Sequence, residues 1–508
     1  MDEKPRFAIS VNKKEVLKNE KERLLATWSI LDKEEMPKVQ KFFRWHYPLG
    51  NEPEVILFNK LRLAVYNPIQ YRVNGRSLIN ALFGQIPEEK ALKKLGRLLG
   101  KLEAALIEYV SHSELTENEF VRNRVLISGL KKRRNTELLH REAKNFSKIL
   151  EAAPATIMRK ADMWWLSHQL YYHQSINQHT NDSSFFGPAL NDLFTFFKLS
   201  TLRYYCEYLN RHNLLKSDLE AATLRQYYQL IIREESRDEP AIQLYQSAAE
   251  LLSNRDSKSH YREYRVLFSE HFEMLAIPDQ LVLLKYGLNT AFYQYEKGDE
   301  DMREEMFYWS FTGVEKRIFF FEGVMKADEY INVALSAAAV GKFDIQLSFM
   351  ERCKPYLENK EEAEKAYQLT LAYYHFFQDN YHKTLAILND IYPRYITGGL
   401  AYTLRANTLQ ICCYLALTVR EKHYDSDHFE NAAESFRKFI SREGILSAEK
   451  KKPFQNFLTM CNAIFKFHFK ELMDKSRKEP GKVRLLAKLE KFDRITSKPW
   501  LKKMIREL

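Results

Sequence analysis

Apolar residues recur every three or four positions along most of this chain, and this period restricts the folds that it can adopt. The clearest stripe runs through Leu92, Leu95, Leu98, Leu99, Leu102, Leu106 and Val110. Such spacing places apolar side chains on one face of an α-helix, whereas a half-buried strand alternates apolar and polar residues. The pattern therefore predicts amphipathic helices that pack against one another.

Glycine and proline are scarce, which favours helices over sheets. The 508 residues include 16 glycines and 15 prolines, below the average shares of about 7% and 5%. Sheets joined by tight turns use both residues heavily, whereas long helices with short connections do not. We predict an all-α protein in which helix exceeds about 60% of the residues, roughly twice the usual share.

Local signals mark several helix starts. Thr116 with Glu119 and Ser217 with Glu220 have the spacing of a capping box, in which two side chains satisfy free N–H groups at a helix start. Pro240 and Pro278 stand where helices are expected to begin, because a missing N–H costs nothing there. The interval from Pro48 to Phe83 is less regular and is the place to expect any small irregular or winged element.

The net charge of +11 is concentrated at the C-terminal end. Residues 470–508 contain 13 Lys and Arg against 6 Asp and Glu, which gives seven of the excess positive charges. Leu485, Leu489 and Phe492 form an apolar stripe in this segment, and Trp500 and Met504 belong to a second one. Disordered tails lack such stripes, so we predict basic amphipathic helices. They either close the end of a repeat array or bind an acidic partner or nucleic acid.

The cysteines point to a reducing compartment. Cys206, Cys353, Cys412, Cys413 and Cys461 do not have the spacing of zinc ligands or redox motifs. Such a set is typical of buried free thiols. The chain starts without the apolar core of a signal peptide and contains no run of about 18 apolar residues. We expect a cytoplasmic protein with no membrane span, no metal and no cofactor.

Residues 325–442 repeat a pattern of large, aliphatic, small and aromatic positions. In three successive units the pattern comprises Tyr330, Val333, Ala334, Ala337, Gly341 and Phe343, then Leu371, Ala372, Tyr381, Leu385 and Leu388, then Phe429, Ala432 and Phe436. This spacing resembles the tetratricopeptide (TPR) repeat, in which a small residue lets the two helices of a unit approach closely. The resemblance implies an irregular α-solenoid of antiparallel helix pairs.

The repeats depart from the TPR pattern in length and in composition. The aromatic residues that open the second helices are separated by 38 and 48 residues, against about 34 in the family. Gln346 and Thr384 stand where alanine is usual. We divide the chain into an N-terminal helical region (1–150), a middle helical array (151–324), TPR-like repeats (325–442) and C-terminal helices with the basic tail (443–508). Whether the N-terminal region is an independent domain stays open, as does the oligomeric state.

No enzyme motif is evident. The sequence has no glycine-rich phosphate loop, no metalloprotease histidine pair and no nucleophile elbow. We interpret the aromatic and histidine cluster at 164–179 as a packed helix, because His168 and His173 would point in different directions. We interpret the run Lys131–Arg134 as a solvated face, with phosphate contact as the alternative. We therefore predict that the protein is not an enzyme.

The leading hypothesis is a helical-repeat scaffold or adaptor that binds a partner protein on its concave surface. The resemblance implies that this surface contains Ile331, Leu335, Leu369, Tyr373 and Phe376, although these side chains would equally suit packing against a neighbouring helix or the tail. The alternative is a nucleic-acid-associated protein that uses the basic run and the tail. The tail residues expected to contact an anionic partner are Lys482, Lys488, Lys491, Lys502, Lys503 and Arg506.

Overall fold

The computed structural model describes most of the chain as helix. It covers residues 35–46, 53–66, 80, 82–84, 87–173, 185–215, 222–232, 239–321, 323–395, 399–421, 426–444, 446, 448–471 and 478–508. Of these residues 85% are helical, in 21 helices. The predictions of an all-α protein and of more than 60% helix are confirmed for this part of the chain. Among the described helices, none is both long and apolar enough to cross a membrane.

The chain divides into two compact units. Unit 1 contains residues 1–151 and 172–180, and unit 2 contains residues 152–171 and 181–508. The helices of unit 1 are α1 (Met36–His46), α2 (Pro53–Tyr66), α3 (Glu88–Glu117), α4 (Glu119–Lys132) and α5 (Thr136–Ala152). Helices α1 and α2 pack against α3. Their shared core includes Phe43 and Phe58, whose rings stack 4.6 Å apart.

The stripe predicted in unit 1 forms the core face of α3, but the predicted helix start nearby is wrong. Leu95, Leu102 and Leu106 are buried, whereas Val110 is exposed. Thr116 lies inside α3 and donates its hydroxyl to the His112 carbonyl. Asn118 caps α4 instead, because its side chain accepts hydrogen bonds from two free N–H groups of the first turn. In the irregular interval from Pro48 to Phe83, α2 is helical and residues 67–79 lie outside the described part.

Unit 2 contains sixteen described helices and one short hairpin. The helices are α6 (Ile157–Tyr171), α7 (Phe186–Leu215), α8 (Ala222–Ile232), α9 (Pro240–Ser253), α10 (Lys258–His271), α11 (Ile277–Glu296), α12 (Met302–Glu315), α13 (Ala327–Ala339), α14 (Phe343–Cys353), α15 (Lys360–Phe377), α16 (Tyr381–Tyr395), α17 (Leu400–Arg420), α18 (Asp427–Arg442), α19 (Ala448–Glu471), α20 (Lys478–Glu490) and α21 (Lys498–Glu507). Strands β1 (Phe320–Phe321) and β2 (Val324–Met325) pair antiparallel between α12 and α13. As predicted, Pro240 and Pro278 stand in the first turns of α9 and α11. Ser217 and Glu220 lie outside the described residues.

Helices of unit 2 pack in sequence order around one continuous core. From α6 to α21 most helices pack against the next one along the chain, and the helices that also pack against the next helix but one are α7, α9, α13, α15, α17 and α19. The core extends from Ala155 before α6 to Leu508 after α21. Because neighbours in sequence are neighbours in space, short connections suffice between the helices.

Most of the repeated positions of residues 325–442 lie in the core or pack against it. Ala334 and Ala372 are both 0% exposed, and α14 and α16 begin at Phe343 and Tyr381, the two aromatic residues predicted to open second helices. Gly341 has a φ of 74° in the turn before α14, a conformation that glycine adopts without strain. Thr384, at a position where alanine is usual, is buried and donates its hydroxyl to the Asn380 carbonyl at 3.0 Å.

Candidate functional site

The five residues predicted to bind a partner are mostly buried within unit 2. Ile331 and Leu369 are 0% exposed, and Phe376 is 7% exposed. Leu335 and Tyr373 are half-buried and pack against the same core. Their side chains contact neighbouring helices, so little of their surface is left for a separate molecule.

The C-terminal helix α21 lies against this part of the molecule. The ring of Trp500 is 6.2 Å from the ring of Phe376 in α15. Lys503 donates to both carboxylate oxygens of Asp379 at 2.7 Å, in the turn after α15. Arg420 at the end of α17 donates to both carboxylate oxygens of Glu507 at 2.9 and 2.8 Å. The tail of the chain therefore occupies the side of α15 and α17 where a partner was predicted.

Apolar burial fixes α21 in this position. Leu501, Met504 and Ile505 are 0% exposed, and Leu508 is 6% exposed. Burial of one such side chain contributes about 1.5–3 kcal/mol, so the four together contribute roughly 6–12 kcal/mol before the entropy of ordering the helix is counted. These buried side chains anchor α21 to the core of unit 2.

The polar contacts of Asp379 also hold α21. Burial alone would raise the pKa of Asp379, but hydrogen bonds from Lys503 and Tyr381 outweigh burial and lower that pKa below its ordinary value. The phenol of Tyr381 donates to Asp379 at 2.8 Å, and Arg420 lies 3.6 Å from the same carboxylate. Asp379 therefore stays ionised at neutral pH and links the turn after α15 to α17 and α21.

A cavity of about 470 Å³ remains beside α21. Residues of α11, α12, α13, α14, α15, α17 and α21 line it. Six aromatic residues line it, and they are Tyr295, Phe343, Tyr373, Phe376, Phe377 and Trp500. Burial raises the pKa of Tyr373 to about 12, so its phenol is neutral at physiological pH. The lining also contains four cations and two carboxylates, and these are Arg303, Lys502, Lys503, Arg506, Glu300 and Asp379.

Three of the six tail cations predicted to contact an anion have partners within the protein. Lys482 lies 3.4 Å from Glu479, and Lys502 lies 2.7 Å from Glu490. Lys503 is paired with Asp379 as described above. These lysines stabilise the packing of α20 and α21 and offer little unpaired charge to another molecule.

The other three predicted tail cations are exposed. Within the described residues Lys488, Lys491 and Arg506 form no ion pair. Arg484, which was not among the predicted contacts, is exposed too and shares one face of α20 with Lys488 and Lys491, because the spacing is four and then three residues. In the described part of the tail the unpaired positive charge is thus a short stripe on α20 together with Arg506 beside the cavity.

The basic run Lys131–Arg134 closes the C-terminal end of α4. Lys132, Arg133 and Arg134 are exposed, and the Arg133 guanidinium donates to the Gly129 carbonyl at 3.1 Å. Cations at a helix C-terminus interact favourably with the free carbonyl groups there. The run therefore stabilises the end of α4 and forms a charged surface that faces the solvent.

The aromatic cluster around Trp164 packs against a neighbouring helix. The ring of Trp164 is parallel to that of Phe196 in α7, with centroids 6.3 Å apart. His168 contacts Trp164, and His179 lies outside the described part. In that part no group of three potential ligands is placed to hold a metal ion. Helix packing explains the cluster.

The described cysteines are all free and buried. Burial raises the pKa of the Cys206, Cys412, Cys413 and Cys461 thiols well above their ordinary value. A thiol is a weak nucleophile until it loses its proton. Cys412 borders the cavity but does not have the chemistry of a catalytic nucleophile.

An exposed apolar face on α7 was not predicted from the sequence. The large apolar side chains on this face are 36–68% exposed, and they are Phe186, Leu190, Leu193, Phe194, Phe197 and Tyr204. Their spacing places them along one side of the helix, opposite the buried Leu199, Leu202 and Cys206. Helix α7 is therefore apolar on two sides, and only one of them is covered.

Helix α8 extends this face. The ring of Tyr227 contacts that of Phe197 edge-on, with centroids 5.8 Å apart. Tyr227 and Leu230 are each more than 40% exposed. An apolar composition on both sides of α7 is the signal that could have revealed the face in the sequence, because ordinary surface helices are polar on their outer side.

Comparison with protein-family models, with curated proteins and with solved structures finds no match to this chain.

Proposed function

We propose that the protein is a non-enzymatic helical-repeat scaffold that binds a partner protein through the apolar face of α7 and α8. The exposed side chains of that face carry the proposal. Isolated exposed apolar residues are ordinary on protein surfaces, but a continuous group on two contacting helices marks an interaction site. The partner chemistry that fits is an amphipathic helix that lays its apolar side along α7.

The order of helix packing supports the repeat part of this proposal. Contacts between successive helices and between alternate helices are typical of an α-solenoid built from helix pairs. The buried Ala334 and Ala372 and the helix starts at Phe343 and Tyr381 agree with a TPR-like unit. An array of this kind holds α7 at a fixed position, so that its outer face is preorganised for a partner.

The size of the face suits a protein more than a small molecule. Phe186 and Tyr204 are separated by 18 residues, which corresponds to about 27 Å along an α-helix. Each side chain is about half exposed, so complete burial would add roughly 1 kcal/mol per residue. Phenylalanine and tyrosine are large enough to act as anchors at the centre of an interface.

The nucleic-acid alternative has less support. In the described part of the tail the exposed cations without an ion pair are Arg484, Lys488, Lys491 and Arg506, which together could contact up to four phosphates. Proteins that hold a DNA backbone strongly make about six to ten such contacts. We therefore favour a protein partner over nucleic acid.

Site-specific cross-linking in the native cell tests the proposal. A photoreactive phenylalanine at position 194 should capture one defined partner protein. The same group at Phe321, which is 66% exposed on β1, is the matched control and should not capture that partner. Replacement of Phe197 and Leu230 by serine should abolish capture at position 194 without lowering the melting temperature, because both side chains are exposed.

Two results would contradict the proposal. If position 194 cross-links only to a second copy of this chain, the face serves self-association. If positions 194 and 321 capture the same set of proteins, the apolar face has no specific partner. Nucleic acid recovered with the unmodified protein and lost in the Lys488→Glu, Lys491→Glu variant would favour the alternative function.

A further inference from the structure

The cavity beside α21 has the dimensions of a small-molecule site. Its volume of about 470 Å³ falls in the range of ligand pockets, roughly 300–1,000 Å³. An α-helix with its side chains is about 10 Å wide, so a partner helix would not enter. Buried apolar side chains hold α21 beside the cavity, so the space is already present in this structure.

Aromatic side chains line the cavity from several helices. Tyr295 belongs to α11, Phe343 to α14, Tyr373 and Phe377 to α15, and Trp500 to α21. Aromatic rings on different walls favour an apolar or aromatic body between them. The neutral phenol groups add hydrogen-bonding capacity without charge.

The charges around the cavity select for an anion. Within the lining, Glu300 is paired with Arg303 at 2.6 Å, and Asp379 is paired with Lys503 at 2.7 Å. Lys502 is paired with Glu490 outside the lining. Arg506 is exposed and has no ion pair among the described residues. Both carboxylates are thus neutralised, and the guanidinium of Arg506 is left without a counter-charge.

We propose that this cavity binds a small molecule with an aromatic or apolar body and one carboxylate, which pairs with Arg506. A guanidinium matches a carboxylate with two parallel hydrogen bonds. Arg303, Lys502 and Lys503 are each paired with a carboxylate, so Arg506 is the cation of the lining that is left for the ligand. The site is separate from the apolar face of α7 and α8, so the function proposed above does not depend on it.

Calorimetric titration of the full chain with a matched pair of probes tests this site. The probes are naphthoate and naphthamide, which share one aromatic body and differ in charge. Naphthoate should bind about fivefold to tenfold more tightly, because one partly exposed ion pair contributes on the order of 1 kcal/mol. Arg506→Gln should remove this preference and leave the affinity for naphthamide unchanged. Arg484→Gln on α20 is the matched control and should preserve the preference.

A cavity-filling variant locates the binding. Ala339 is a half-buried lining residue, and Ala339→Trp should weaken both probes at least about tenfold by occupying the space. If this variant does not fold, Phe377→Ala, at a residue that is 39% exposed, removes one aromatic wall and should weaken both probes as well. Ala487→Trp, at an exposed position on α20, is the control for added aromatic surface.

Three outcomes would overturn the proposal. Equal affinity for naphthoate and naphthamide would show that the cavity does not select an anion. A charge preference that survives Arg506→Gln would assign the anion to another group. Binding that is unaffected by both cavity variants but lost on replacement of Phe197 and Leu230 by serine would place the probes on the apolar face of α7 and α8.

Discussion

Leu489→Ala tests whether apolar burial or charge holds the C-terminal helices in place. Leu489 lies in α20, is 0% exposed and belongs to the core that also contains Leu501 and Met504 of α21. Truncation of a buried leucine to alanine removes transfer energy and leaves a cavity, at a cost of about 2–5 kcal/mol. Val483 in the same helix is 64% exposed, so Val483→Ala should change stability by less than about 0.5 kcal/mol.

The charge-reversed variant completes this comparison. Lys488 and Lys491 are exposed and form no ion pair among the described residues, so their replacement by glutamate should leave the melting temperature nearly unchanged. The assay is thermal unfolding by scanning fluorimetry together with hydrogen exchange of peptides from α19 to α21. Leu489→Ala should accelerate exchange in all three helices. The reasoning fails if Leu489→Ala is no more destabilising than Val483→Ala, or if the charge-reversed protein melts at a clearly lower temperature.

Three further tests address packing and pH. Ala334 and Ala372 are each 0% exposed, so replacement of either by leucine should overpack the core and lower the free energy of unfolding by about 1–3 kcal/mol. An unchanged melting temperature would contradict the proposed repeat register. Gly287→Ala places a Cβ 2.5 Å from the ring of Trp309 and should lower the melting temperature. Gly100→Ala is the control, because its Cβ has open space around it and should stabilise α3 by roughly 0.4–1 kcal/mol. Similar effects of the two changes on the melting temperature would mean that Trp309 moves aside. The pKa of Asp379 is lowered in the folded protein, so its stabilising contribution is present above the unfolded value of about 3.9 and is lost as the pH falls through the folded value. When the pH falls below about 4, the free energy of unfolding should therefore decrease less for Asp379→Asn than for the native protein. Superimposable acid-unfolding curves of the two proteins would refute this.

Local features of the sequence were sufficient to predict most helices. The 3.6-residue period located the buried stripe of α3, and the repeat spacing located the starts of α14 and α16. These features depend on residues a few positions apart. The capping box at Thr116 failed for the same local reason, since Asn118 competes for the free N–H groups of α4 and lies closer to them.

The candidate sites depended on contacts between distant parts of the chain. The sequence marked the aromatic residues of α15 and the apolar stripe of α21, but not their contact with each other. Lys503 and Asp379, which join α21 to the turn after α15, are 124 residues apart. No local period encodes such a pairing, so the cavity beside α21 was not predictable.

The sequence by itself determined which faces of the helices are apolar and which segment of the chain is basic. Only the tertiary structure decided which apolar faces are covered. The stripe of α21 is buried while the outer stripe of α7 is exposed, although both have helical spacing. The tertiary structure likewise decides which cations are paired: Lys503 pairs with Asp379, whereas Arg506 has no ion pair among the described residues. Hydrophobicity and charge belong to single residues, whereas burial and pairing depend on which distant helices the fold brings together.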